Sequence, residues 1–170
     1  KSSNPILVKV LEDLKQEPMV RHEAAEALGA LGSPENLDIL EKFKKDPVIE
    51  VAETCELAVE RIKWCQMPDQ SNLSENPYNS VDPAPPAEAK SIGELKNTLM
   101  SDKESLFSRY RAMFALRNLR TKEAVIALAE SLNCGSALFK HEVAFVLGQL
   151  QDEVSVPFLI SSLENHNENE

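Results

Sequence analysis

Aromatic residues are scarce in this sequence, at 5% of 170 residues, and their scarcity argues against a sheet-rich fold. Strand-rich chains favour Val, Ile and aromatics. Here Ala and Leu dominate the apolar runs, as in RHEAAEALGAL and RAMFALRNL, and these two lead the helix-propensity scale. Positive charge is also short: 18 basic residues stand against 28 acidic ones, for a net charge of −10. Such a surface repels nucleic acid and anionic membrane and suits a basic protein partner. Only three cysteines occur, Cys55, Cys65 and Cys134, and none forms a CxxC pair. An odd, scattered set is no disulfide framework, so a reducing, cytoplasmic setting is expected. No apolar run approaches the roughly 18 residues of a transmembrane helix, and no secretory signal is visible.

Proline supplies the punctuation. Asn4-Pro5, Glu17-Pro18, Ser33-Pro34 and Asp46-Pro47 interrupt the first third of the chain. Proline fits a first helical turn, where its missing N–H would have no intrahelical partner. Helices are therefore expected at about 5–15, 19–31, 35–45 and 48–64. Ser33 and Asp46 are candidate N-caps, and Gly32 is a candidate C-terminal stop. Cys55 falls inside an apolar helical pattern and reads as a buried small hydrophobe. From 66 to 90, Pro68, Pro77, Pro83, Pro85 and Pro86 exclude a continuous helix, and no strand alternation replaces it. Helices resume at about 91–100, 104–119, 121–132, 136–150 and 153–163. Leu106, Tyr110, Met113, Phe114 and Leu116 form one apolar stripe, and Leu138, Val143, Phe145, Val146 and Leu150 another. Both are read as core.

The helical text repeats itself. YRAMFALRNL at 110–119 returns as HEVAFVLGQL at 141–150, and HEAAEALGAL at 22–31 shares the pattern. Helix pairs repeated about every 30 residues make an α-solenoid, each unit burying its apolar face on its neighbours. The expected fold is all-α and HEAT-like: a partial array over 1–65, a proline-rich linker over 66–90 and a second partial array over 91–170.

Of three histidines, two stand at corresponding places in their repeats and precede glutamate: His22-Glu23 and His141-Glu142. Side chains of adjacent helical residues diverge by roughly 100°. Such a dyad could offer imidazole to one ion and carboxylate to a second beside it. Nitrogen and oxygen donors without thiolates suit iron, manganese or zinc. Equally, a repeated His-Glu near a helix start can be repeat consensus, with glutamate favouring the helix dipole. His166, in ENHNENE, reads as a polar tail residue.

The segments QEPMVRHEAAEALGALGSPENLDIL, DPVIEVAETCELAVERIKW, PYNSVDPAPPAE, LFSRYRAMFALRNL and CGSALFKHEVAFVLGQL resemble successive parts of deoxyhypusine hydroxylase. The resemblance runs through nearly the whole chain, proline-rich linker included. It implies two facing HEAT-like arrays and a di-iron monooxygenase. That enzyme uses molecular oxygen to convert deoxyhypusine on the translation initiation factor 5A precursor to hypusine. By the same resemblance His22, His141 and Glu142 are iron ligands, His22 and Glu142 sharing one iron. Glu23 then lies beside the metals and helps bind the substrate amine. A first dyad is expected before Lys1 and a fourth after Glu170, which leaves this chain with an incomplete ligand set and no activity of its own. The competing readings are a non-enzymatic HEAT scaffold and a tetrapyrrole lyase-like repeat protein. Neither calls for the segment PYNSVDPAPPAE.

Overall fold

The proline punctuation becomes helix boundaries in the computed structural model, which describes residues 3–68, 73 and 75–166. The helices are α1 (Asn4–Glu12), α2 (Pro18–Leu31), α3 (Leu37–Phe43) and α4 (Ile49–Cys65), then α5 (Ile92–Met100), α6 (Leu106–Leu119), α7 (Lys122–Glu130), α8 (Ala137–Leu150) and α9 (Val156–Leu163). Among the described residues the only β-pairing is one isolated bridge between Leu73 and Glu88. The protein is an all-α, HEAT-like solenoid. No helix among the described residues is long and apolar enough to cross a membrane.

Local chemistry sets the ends. Pro18 opens α2, and Gly32 closes it in the left-handed conformation at φ +65°. Arg120 after α6 and Gln151 after α8 occupy the same place in their repeats and take the same conformation, at φ +53° and +54°. A side chain costs roughly 1–2 kcal/mol there, so the recurrence marks a backbone geometry the repeat imposes. Ser105, Thr121 and Ser136 cap α6, α7 and α8 by accepting a backbone N–H, and Ser91 with Glu94 forms a capping box on α5.

Two expected caps are corrected. Ser33 makes no side-chain cap bond, because Pro34–Asn36 wind as a 3-10 turn before α3 begins. Asp46 lies two residues ahead of Val48, the N-cap of α4. It accepts the Val48 N–H at 2.9 Å while binding Arg21.

The chain divides into two compact units. The first contains α1–α4 and takes in Val81–Ala84, and the second contains α5–α9 and the residues around Tyr78. In the first, Leu11, Leu28, Leu40, Val51, Cys55 and Ile62 are fully buried. A Cβ added to Gly29 on α2 would lie 2.8 Å from the Cβ of Ala58 on α4. That is too close for two carbons, so the glycine allows these helices to approach. In the second unit Tyr110, Met113, Phe114 and Leu116 are buried, and the Tyr110 and Phe139 rings meet edge to face at 5.8 Å. Phe145, assigned to the core from sequence, is 56% exposed.

Arginines hold the proline-rich segment within each unit. Arg61 donates to the Asp82 carbonyl at 3.0 Å. Arg111 donates to the Pro85 and Pro86 carbonyls, and its own carbonyl accepts the Ala87 N–H. Arg117, fully buried, stacks on Tyr78 and donates to Asn76 and Gln149.

The two units share an internal plan. α1 and α5 have nine residues each, and α2 and α6 have 14 each. Arg21 Nε donates to the Leu11 carbonyl at 3.0 Å, and Arg109 Nε donates to the Leu99 carbonyl at 2.9 Å. Beyond that they differ. Arg21 forms a buried fork with both oxygens of Asp46. Arg109 reaches the thiol of Cys134 at 3.7 Å and lies 4.1 Å over the Phe139 ring.

Removing one partner of a buried ion pair strands the other charge, so Asp46→Asn should destabilise the first unit by about 3 kcal/mol. Burial pushes the Asp46 carboxyl up, but the bonds from Arg21 and Val48 and the Arg21 charge hold it below the usual carboxylate range. Its contribution is complete above the ordinary carboxylate pKa and disappears as pH falls through the lower, folded value. Denaturant titrations from neutral pH downwards should show the gap between parent and variant closing in acid. A gap that stays constant would contradict the assignment.

Candidate metal centre

α2 starts at Pro18, so His22 and Glu23 lie in its second turn and Glu26 one turn on. Leu28 and Ala25 turn into the core, which fixes the helix rotation and draws His22 in with them. His22 is 5% exposed, whereas Glu23 is exposed and Glu26 is half-buried. His22 Nδ1 is 3.0 Å from the hydroxyl of Thr54 on α4, and Nε2 is 3.5 Å from a Glu23 oxygen. Ligand atoms of His22, Glu23 and Glu26 all lie within 4.8 Å of one another. Among the described residues this is the one group of three such donors that close.

The arrangement fits a divalent first-row metal. Two donors on one ion stand at most about 4.4 Å apart, twice a bond of about 2.2 Å. The buried His22 nitrogen is the donor aimed at such an ion, and the two carboxylates border the place it would occupy. Burial raises the Glu26 carboxyl above the usual carboxylate range, and the charges of Glu23 and Asp82 push it the same way. The field at this point is negative and favours a cation. Donors of nitrogen and oxygen without sulfur suit iron or zinc.

Glu26 was missed in sequence. Its signal was the i, i+4 spacing from His22, which puts both on one helical face. Yet YRAMFALRNL and HEVAFVLGQL both place phenylalanine at this position, Phe114 and Phe145.

His141 and Glu142 lie in the second turn of α8, His141 exposed and Glu142 half-buried. With Lys140, Ala144, Leu159 and His166, His141 lines a hollow of about 670 Å³ in the second unit. His166, read from sequence as a tail residue, thus shares a wall with His141.

Three comparisons place this geometry among known proteins. Residues 1–60 match the HEAT repeats family, and 108–134 and 139–165 match the PBS lyase HEAT-like repeat. The deoxyhypusine hydroxylase of Drosophila melanogaster is 61% identical over 166 residues, 97% of this chain and 55% of the relative. That of Homo sapiens is 59% identical over 165 residues, 97% of this chain and 54% of the relative. The solved structure of human deoxyhypusine hydroxylase in complex with glycerol superposes with a TM-score of 0.90 at 57% identity, covering 99% of this chain and 58% of that one. The chain therefore spans just over half the length of these relatives.

If Glu26 belongs to the site, Glu26→Gln should weaken ferrous binding by this chain about tenfold, the lower end of what a lost supporting carboxylate costs. Glu12→Gln, on α1, should leave it unchanged. Anaerobic calorimetric titration measures both, and equal affinities for Glu26→Gln and the parent would remove Glu26 from the site.

Proposed function

We propose, on the premise that this chain belongs with the deoxyhypusine hydroxylases, that the full-length protein is an iron-dependent monooxygenase acting on a deoxyhypusine side chain. The substrate is carried by the translation initiation factor 5A precursor, and the setting is cytoplasmic. The observation that carries the reading is identity near 60% along 97% of the chain. An alignment of that length includes the proline-rich segment, which a generic repeat has no reason to share. The likeness to the lyase repeat covers only two stretches of the second unit.

In this reading His22, His141 and Glu142 hold metal, and the array boundaries fall at 1–65, 66–90 and 91–170. Two iron ions with molecular oxygen would supply the oxidant that no amino-acid side chain provides. One oxygen atom enters a carbon–hydrogen bond of the substrate, and the other leaves as water with two electrons and two protons from an external reductant. The residues of the chain position and select. The buried His22 imidazole presents a nitrogen donor from a rigid helix. Glu23, exposed beside it, accepts hydrogen bonds from the substrate's protonated amine, and Glu26 and Asp82 add to the negative field that draws that amine in. Held by its charge, the substrate carbon gains the effective concentration that positioning provides. The acidic surface steers a basic segment of the partner protein, an effect that salt screens.

The test is a reconstitution. Full-length protein loaded with ferrous iron, given oxygen, a reductant and the deoxyhypusine-bearing partner, should add one oxygen atom to the modified lysine, read by peptide mass spectrometry. His141→Ala should abolish the gain, and the rate at limiting substrate should fall as salt rises. Metal-free full-length protein, or a partner of unchanged mass, would defeat the proposal.

A further inference from the structure

The contact between His22 and Thr54 has a direction that the two distances fix. Thr54 lies mid-way along α4, 4% exposed, and faces His22, itself 5% exposed. Its hydroxyl oxygen is 2.7 Å from the carbonyl of Glu50, one turn earlier on the same helix. Two acceptors that close repel each other unless a hydrogen lies between them, so the single hydroxyl hydrogen points at Glu50. This is the i−4 back-bond that Ser and Thr make within helices, and it is the shorter of the two contacts. The oxygen then has only lone pairs to offer His22 Nδ1 at 3.0 Å. A lone pair on Nδ1 would face another lone pair at hydrogen-bond distance. The contact is favourable only when Nδ1 carries a hydrogen and donates it.

We infer that Thr54 is a positioning residue for the metal centre: it fixes His22 as the Nδ1–H tautomer, so that the lone pair sits on Nε2, towards Glu23. The inference rests on the metal reading of His22 proposed above and adds the group that prepares it. In water the two neutral tautomers of imidazole interconvert freely. A site that takes metal at one nitrogen does better when the other is already committed as a donor, and a lost partner of this kind costs about ten- to a hundredfold in metal affinity. The usual partner is a carboxylate or a carbonyl. Here a hydroxyl relays the contact to a helix carbonyl, so the orientation of His22 is tied to the backbone of α4.

The fold explains why threonine serves. A longer side chain at 54 would push α2 and α4 apart where Gly29 already faces Ala58 without room for a methyl group. Serine would keep the hydroxyl, and valine would keep the shape without it. The corresponding helix pair of the second unit has Tyr110 where α2 has His22, and the ring packs against Phe139.

The experiment uses this chain with zinc as a diamagnetic probe. Long-range nitrogen–proton correlation spectra of the metal-free protein should show the His22 hydrogen on Nδ1, and zinc should then shift Nε2. Thr54→Val should lower zinc affinity about tenfold or more and lose the tautomer bias, and Thr54→Ser should restore both. A hydrogen found on Nε2 in the unmodified protein overturns the inference whatever the variants do, and so does a valine variant with parental affinity. His22→Ala separates the two levels. If it leaves zinc binding unchanged, the metal reading fails and the inference with it. If it abolishes binding while Thr54→Val does not weaken it, only the role of Thr54 fails.

Discussion

The close passage of α2 over α4 is the constraint on which the first unit depends. Gly29 and Ala58 bring the two helices together, and the contacts advance in the same direction along both, from His22 with Thr54 to Gly29 with Ala58. The helices therefore run parallel, as the second helices of successive repeats must when each connecting helix returns along the outside. At ordinary helix spacing, with bulkier residues at this crossing, a threonine hydroxyl would not reach an imidazole. Close packing thus converts two small residues into a positioned donor.

Burial makes that donor demanding. A histidine drawn into an apolar core needs both ring nitrogens accounted for, because an unmet polar group costs roughly 1–3 kcal/mol. Thr54 meets one nitrogen, and the other lies beside Glu23. The α5–α6 pair of the second unit shows what the same helix arrangement does without a histidine at this position. Tyr110 fills the place of His22, and Cys134 stands where Asp46 would be, with Arg109 stacked on Phe139. Arginine bound to the carbonyl of the preceding helix is common to both units and belongs to the scaffold. The histidine, its hydroxyl partner and the half-buried glutamate one turn on are the local departures from it. All three favour a cation.

Much of the fold was legible because its punctuation is covalent. Proline in the first turn of α1 and of α2 and ahead of α4, and glycine behind α2, act through their own backbone preferences, which need no tertiary information. The repeat of HEAAEALGAL carried the helix pairing. What sequence missed depends on rotation and partners. Phe145 fits an apolar stripe, yet it points outward, since periodicity finds a face without knowing whether another element covers it. Asp46 reads as a cap, but a buried arginine 25 residues earlier claims it. His22 was legible as a candidate because it recurs in HEAAEALGAL and HEVAFVLGQL. Glu26 and Thr54 were not, because one lies a turn away and the other on a different helix, joined to His22 only by folding.

A buried imidazole on α2, prepared at one nitrogen and bordered by carboxylates, is proposed as a metal ligand. X-ray absorption on the iron-loaded full-length protein addresses it most directly. A first shell of nitrogen and oxygen alone at about 2.0–2.2 Å is expected, with outer imidazole scattering that diminishes in His22→Ala. Sulfur at about 2.3 Å, or imidazole scattering unchanged in that variant, would contradict it.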